Sequence, residues 1–342
     1  MGKGICVAGN LIVDITYPIE RWPREGELTT VTDGIMNSTG GAVCNVIVDL
    51  AKLDGDLPLS ALGVIGEDSE GDFILEELGK HENIDLGLLK RQKEKKTSFT
   101  AVMSNNQTKA RTFFQYRGAN SLFDESCVDW DKIDAELLHV GYILLLDALD
   151  EADAEYGTKL ARLLCHAQEH GIKTSIDVVT ETGDRFQTLV PPALRYTDYC
   201  VINELEAQQI TGVLLRDEEE RLHPENMEAA LRKMKELGVS TWTVIHCPEG
   251  GWGLNETDNF VHIDSLHLPE DYIKGTVGAG DAFCAGVLYG AQKKQSLEES
   301  ILLGTCAAAA SLSCPGATEG LMSAKQVLEL GGHYRKSPAE RG

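Results

Sequence analysis

Blocks of apolar positions separated by polar, turn-forming stretches predict an alternation of strands and helices along most of the chain. Positions 4–9 form a short apolar run ending at a polar loop, which reads as a buried strand. Positions 43–53 carry apolar residues at helical spacing, and Gly55 just beyond acts as a stop. Further strands are predicted at 59–65, 138–146, 173–178, 199–202 and 241–246. Helices are predicted at 69–81, 152–170, 186–194 and 224–237, and a helical C-terminal run at 278–293, 297–312 and 323–330. Such alternation implies an α/β fold, a mostly parallel sheet with helices on both faces. Sheets of this kind bind ligands beyond the carboxyl ends of their strands.

Two polar, strand-rich segments break the alternation, at about 17–38 and 96–123. Within the second, strands at 97–104 and 111–116 flank Asn105-Asn106-Gln107 and read as a hairpin. Together the two segments are expected to form a small β lid beside the main sheet. The expectation is a single domain over 1–332 with these lid segments, followed by a frayed tail at 333–342.

Charge narrows the ligand class. The 342 residues include 31 basic and 54 acidic ones, a net charge of −23, and such a surface repels nucleic-acid backbones and anionic lipid. No apolar run is long enough for a membrane span or a signal peptide. A cytoplasmic protein is expected. The nine cysteines are scattered, odd in number and without a C-x-x-C pair, and several sit in apolar runs. They read as small buried hydrophobes rather than a disulfide framework or a zinc site.

The densest chemistry lies at 275–286, Gly-Thr-Val-Gly-Ala-Gly-Asp-Ala-Phe-Cys-Ala-Gly. Small residues at Gly278, Ala279 and Gly280 precede a helix, whose first amides and dipole favour an anion. Asp281, in the first helical turn, would repel that anion. Its presence makes sense if it takes a proton from an attacking hydroxyl. An ordinary glycine-rich turn with a first-turn acid is the competing reading. The stretch is neither a Walker A loop nor a G-x-G-x-x-G dinucleotide loop.

This stretch resembles the C-terminal signature of the ribokinase-like (PfkB) carbohydrate kinases, G-A-G-D-x-F-x-x-G. Gly40-Gly41 with Asn45, and Gly63 to Asp68 with Gly71, resemble the N-terminal signature, and Asn203-Glu204-Leu205-Glu206 resembles the N-x-x-E motif. The three occur in the family's order across nearly the whole chain. The resemblance implies a ribokinase-like fold and an ATP- and Mg²⁺-dependent kinase acting on a hydroxyl of a small sugar or sugar acid. It assigns Asp281 as catalytic base and the backbone of Gly278, Ala279 and Gly280 as anion hole. It assigns Asn203 and Glu206 to the organisation of Mg²⁺ and the triphosphate, Glu206 acting on the ion indirectly. Taken without the other motifs, that pair reads as a helix cap. Asp14, Gly40, Gly41 and Asn45 match substrate-binding positions, and Glu249–Gly253 the region near the nucleotide, with His246, Gly251 and Gly253 as contacts. Arg111 and Arg117, in the proposed lid hairpin, are candidates for an acidic or phosphorylated sugar, because guanidinium pairs with such groups through a fork. A homodimer through the lid is expected by the same resemblance.

The chain departs from the family at Gly275-Thr276-Val277, where many members have Asp-Thr-Thr; the lost carboxylate argues against potassium activation. Ala42 replaces the lysine that ribokinases carry after the paired glycines. A nucleoside kinase of the same fold and a catalytically silent sugar sensor stay open as alternatives. Two metal-like patterns are set aside. His166 and His170 read as helix-end histidines, and Asp147, Asp150 and Asp153 as a cap and solvated start for the following helix.

Overall fold

The computed structural model describes residues 3–108, 110–180, 183 and 185–335. Strand β1 (Gly4–Gly9) is buried on both faces, so it can only lie inside a sheet covered on each side. The chain then makes β2 (Ile12–Ile19), β3 (Met36–Gly40) and α1 (Gly41–Leu53). β4 (Leu59–Gly66) leads to α2 (Ser69–Leu78), whose cap Asp68 accepts from the Gly71 amide. The short strands β5 (Ile84–Asp85) and β6 (Leu89–Gln92) pair with β4. β7 (Phe99–Asn105) and β8 (Arg111–Tyr116) form the expected antiparallel hairpin. β9 (Ala135–Ile143) is followed by the two-stranded β10 (Ala152–Asp153) and β11 (Gly157–Thr158), then by α3 (Lys159–Glu169). The alternation continues through β12 (Lys173–Val178), α4 (Phe186–Leu194), β13 (Tyr199–Asn203), α5 (Glu204–Thr211), α6 (Met227–Leu237) and β14 (Trp242–Cys247). A hairpin of β15 (Gly250–Leu254) and β16 (Phe260–Asp264) precedes α7 (Ala279–Gln292), α8 (Leu297–Ser311) and α9 (Ala324–Tyr334).

The main sheet runs β16-β15-β14-β13-β12-β9-β1-β4-β5, with β6 also on β4. It is parallel from β14 to β5, and the antiparallel β15 and β16 close one edge. One buried apolar cluster packs α1, α2, α7, α8 and α9 on one face. A second packs α3, α4, α5 and α6 on the other. The lid is a separate sheet, β3-β2-β7-β8. It takes in more of the chain than the sequence suggests, since β2 begins at Ile12, directly after β1. Among the described residues no helix is long and apolar enough to cross a membrane.

Three expectations shift. The helix expected from 152 begins only at Lys159, because Asp153 takes the amides of Glu155 and Tyr156 into a turn and Gly157 turns the chain at φ +91°. Thr158 then caps α3 by accepting from Ala161. The last helix runs to Tyr334, four residues beyond the expected end. The Tyr334 carbonyl accepts from the His267 amide, and its ring meets Tyr272 edge-on. Of the expected frayed tail, His333 and Tyr334 are therefore helical, and residues 336–342 lie outside the described residues.

Candidate active site

From β1 the chain crosses to β4 on one side, and later returns to β9 on the other. The carboxyl ends of β1 and β9 thus flank a topological switch point, where a crevice opens. Asn10 pins this point: its Nδ2 donates to the Leu145 carbonyl at 3.1 Å and its Oδ1 accepts from the Tyr142 amide at 2.6 Å. Asp281, on the first turn of α7, faces the same crevice. Its Oδ1 accepts from the Tyr142 hydroxyl at 2.6 Å and its Oδ2 from Asn45 Nδ2 at 2.9 Å. Burial pushes the Asp281 carboxyl up to about 6, against the two hydrogen bonds, which favour the anion. Tyr142 was not legible in the sequence. It ends an apolar strand and meets Asp281 across 139 residues.

The amino end of α7 is built by Gly278, at φ +78° with the Ala317 carbonyl only 2.5 Å from where a Cβ would stand. The first helical bond runs from the Ala282 amide to the Gly278 carbonyl, so the amides of Gly280 and Asp281 precede it. The Ala279 amide reaches Thr276 O at 3.5 Å. Gly275 packs against Pro315 and Cys314, and a side chain there would meet backbone at 2.9–3.0 Å.

Beside this turn lies a cavity of about 520 Å³. Its floor is Gly280, Phe283 and Thr276; its walls include Leu266, Leu268, Ile273, Ala308, Ala309 and Leu312, with Asn203, His246 and Thr305 as polar contributions. An apolar slot with a few polar groups suits a flat heteroaromatic ring. Most of these walls were missed in the sequence, because they come from loops and from the Ala-rich face of α8. The His246 ring packs tilted against Phe283, with centroids 4.8 Å apart, and burial pushes its imidazole down to about 4, which favours the neutral form. Gly251 and Gly253 are corrected: they are not part of the cavity wall. A Cβ at Gly251 would strike Ile301 and Phe283 at 2.8 Å, and one at Gly253 would strike Ile301 at 2.6 Å. Both glycines make room for α7 and α8 on β15, and Gly250 is the residue that reaches the cavity.

Asn203 and Glu206 form the full capping box of α5. Glu206 N donates to Asn203 Oδ1 at 2.9 Å and Asn203 N to Glu206 Oε2 at 3.0 Å. The cap does not remove the pair from the site, since Asn203 also lines the cavity. The Thr180 hydroxyl donates to Glu206 Oε1 at 2.8 Å and accepts from Asn203 Nδ2 at 3.0 Å. Asp177, at the end of β12, is a further carboxyl that sequence reasoning passed over. Burial raises both Asp177 and Glu206, and the charges of Glu206 and Asp281 raise Asp177 further. Three carboxyls thus crowd one corner of the crevice.

On the lid side, Asp14 sits on β2 opposite Ser38 and Thr100. Burial raises its carboxyl, against a hydrogen bond from the Thr100 side chain. A Cβ at Gly40 would stand 2.3 Å from Asp14 Oδ2, so any side chain there would displace the carboxylate. Gly41, at φ +84°, lies against the Asn10 carbonyl. The two lid arginines separate. Arg117 Nη2 donates to the Leu144 carbonyl at 3.3 Å beside the crevice, and its Nη1 is buried without a partner. Arg111 is exposed on the outer strand β8 opposite Ser104, four residues along the ladder from the level of Asp14. Of the two, Arg117 is the one held against the loop that follows β9.

The patterns set aside are structural. His166 contacts Glu125, His170 stacks on Trp130, and Asp153 pairs with Arg162. Asp150 differs from expectation: it is buried, accepts from the Leu144 amide and pairs with Arg185 at 3.3 Å. It shapes the loop after β9 rather than the start of a helix.

Residues 3–324 match the pattern of the pfkB family carbohydrate kinases, from β1 to the start of α9. The chain belongs to the pfkB carbohydrate kinase family. This pfkB kinase is 25% identical over 334 residues to a ribokinase of Arabidopsis thaliana, a match covering 95% of this chain and 80% of that one. It is 26% identical over 306 residues to a probable chloroplastic fructokinase of the same plant, covering 85% and 73%. Among solved structures it resembles Arabidopsis ribokinase complexed with ribose and ATP, with a TM-score of 0.78 at 22% identity over 97% of this chain and 99% of that one. It also resembles a nucleoside kinase of Methanocaldococcus jannaschii, with a TM-score of 0.70 at 16% identity over 97% and 99%. The fold is ribokinase-like. The pfkB kinase is a phosphotransferase with an alcohol group as acceptor, a sugar kinase using ATP.

Proposed function

We propose that this pfkB kinase transfers the γ-phosphoryl group of ATP to a hydroxyl of a small sugar or sugar acid bound between Asp14 and Asp281. The observation that carries the reading is the placement of Asp281. It follows Gly280 of the cavity lining on the first turn of α7, fixed through both oxygens by Asn45 and Tyr142, with its pKa about 6. The acceptor oxygen attacks the γ-phosphorus, its proton passes to Asp281, and ADP leaves. Of the anion hole expected at Gly278, Ala279 and Gly280, the Ala279 amide is turned to Thr276 O, so in this reading the amides of Gly280 and Asp281, with the start of α7, stabilise the charge on the moving phosphoryl group. Asp14 accepts from sugar hydroxyls and Asn45 lies close enough to assist. His246 and the apolar walls hold the base of ATP.

The crowded carboxyls of Asp177, Glu206 and Asp281 call for positive charge, and their oxygens suit a hard divalent ion. Glu206 and Asn203 would hold Mg²⁺ through water, and the ion would neutralise phosphate charge. The free Nη1 of Arg117 supports an acceptor with a carboxylate or an extra oxygen at that end. Trp22, Leu28, Ile35, Met36, Phe113 and Phe114 are exposed on the lid and support pairing of two copies there. Sedimentation as a single 37.3 kDa chain at assay concentration would exclude that dimer. Free cysteines support a reducing, cytoplasmic location.

The reading is tested by ADP release across hexoses, pentoses, sugar acids and nucleosides. Turnover should appear with a sugar or sugar acid, and Arg117→Met should raise KM about tenfold for acids while sparing neutral sugars. Turnover with nucleosides alone would replace the sugar reading, and binding without turnover would favour a sensor.

Tyr142 gives a pH prediction. Asp281 must be ionised to act, so kcat/KM should fall below about pH 6. The Tyr142 hydrogen bond lowers that pKa, so Tyr142→Phe should move the acid limb upward by about one unit. A limb that stays in place would mean that the reacting carboxyl is not the one Tyr142 holds.

A further inference from the structure

Beneath the catalytic carboxylate, three side chains of a different chemistry converge. Side chains alternate across a strand, and Leu138, Val140, Ile176 and Val178 all pack into the cluster on the α3–α6 face. His139 on β9 and Ser175 and Asp177 on β12 therefore point to the opposite face, under α7. His139 and Ser175 are register partners. Cys284 comes down from α7, three residues after Asp281. One ligand atom each from His139, Asp177 and Cys284 lies within 4.8 Å of the other two, and all three residues are buried.

His139 decides what this cluster can do. Its Nδ1 contacts Ser175 Oγ at 3.0 Å, and its Nε2 is buried without a partner on a residue with no exposed surface. A buried ring nitrogen left unpaired is costly. A Cβ on Gly141 would stand 2.9 Å from Ala42 Cβ, 3.2 Å from the Asp177 Cβ and 3.7 Å from that Nε2, so all three line the space beside this glycine and a side chain there would crowd them.

We propose that His139 Nε2, Asp177 and Cys284 form a buried site for a divalent cation of the zinc class, joining α7 to β9 and β12. A neutral imidazole, a carboxylate and a thiolate balance a 2+ ion to zero net charge, which a fully buried site requires. A sulfur and a nitrogen ligand select zinc-class ions over Mg²⁺, which prefers oxygen. Ser175 orients the imidazole through its other nitrogen, as outer partners of metal-bound histidines do. Three protein ligands leave a fourth position for water. The site shares Asp177 with the carboxyl cluster described above but not the Asn203 and Glu206 oxygens assigned to Mg²⁺, and it stands whether or not that assignment does.

The test is a Co²⁺ titration of the reduced, full-length protein, read by absorbance rather than turnover. About one equivalent should give a thiolate-to-cobalt charge-transfer band and strong tetrahedral ligand-field bands. Cys284→Ala should abolish the first, and a double Cys247→Ala, Cys314→Ala variant, which removes two half-exposed thiols, should keep both. Zn²⁺ should raise the melting midpoint of the wild type and not of Cys284→Ala. If Cys284→Ala does not melt cooperatively, Cys284→Ser takes its place, since a hydroxyl gives no such band. No band at one equivalent, a band that survives loss of the Cys284 thiol, or one lost in the double variant would overturn the proposal.

Discussion

Replacing Asp281 with asparagine is expected to lower turnover by about 10²- to 10⁴-fold while leaving the fold intact. The side chain keeps its shape, and one oxygen can still accept from Tyr142. The other position becomes an NH₂ group facing Asn45 Nδ2, now 2.9 Å from the carboxylate. Asn45 can answer by rotating its amide, because its own Oδ1 is buried without a partner. Stability should rise rather than fall at neutral pH. The folded pKa of Asp281 is about 6 against 3.8 for the ordinary group, so the folded state binds its proton more tightly than the unfolded chain. That costs the wild type on the order of 3 kcal/mol once pH exceeds about 6. Below about pH 4 both states are protonated and the cost disappears. Asp281→Asn should therefore melt higher than wild type at pH 7, with the gap closing toward pH 4. Steady-state kinetics with the best acceptor, alongside melting curves at both pH values, check the two halves. Retained turnover would remove Asp281 as the base. Lost turnover with a lowered melting point at pH 7 would mean the carboxylate holds the structure together.

The central strands and Asp281 were legible because each leaves a local trace. β1 is an unbroken apolar run, and the turn before α7 carries three small residues followed by an acid. Gly40 and Gly41 were legible as a pair, and the structure supplies their reasons: the Asp14 carboxylate against one and the Asn10 carbonyl against the other. What escaped is what depends on contact across the chain. Tyr142 and Asp177 look like ordinary ends of apolar strands, and only the sheet order brings them to Asp281. The turn at Asp153 defeated the helical pattern from 152, since side-chain bonds to nearby amides compete with a helix. Gly251 and Gly253 misled for a related reason. A glycine that admits a ligand and one that admits a neighbouring helix look identical in sequence, and Ile301, which tells them apart, is some fifty residues away.

That distinction yields the second large effect. Gly278→Ala is expected to reduce kcat by about 10²- to 10³-fold, the loss typical of one anion-stabilising donor. At φ +78° an alanine costs roughly 1–2 kcal/mol. Its Cβ would also stand 2.5 Å from the Ala317 carbonyl oxygen, which is backbone and cannot turn away. The turn must then shift, and the amides of Gly280 and Asp281 shift with it, because the Gly278 carbonyl anchors the first helical bond of α7. Gly253→Ala is the matched comparison. Its Cβ would meet Ile301 Cδ1 at 2.6 Å and Leu297 at 3.0 Å, the ends of flexible side chains far from any reacting group. Overpacking there should cost about 1–3 kcal/mol of stability and leave kcat near wild type. Measured side by side, Gly278→Ala should lose rate out of proportion to its melting point, and Gly253→Ala the reverse. Equal loss of rate in both would mean that α7 responds to any disturbance of its packing. The turn at Gly278 would then have no special claim to the phosphoryl group.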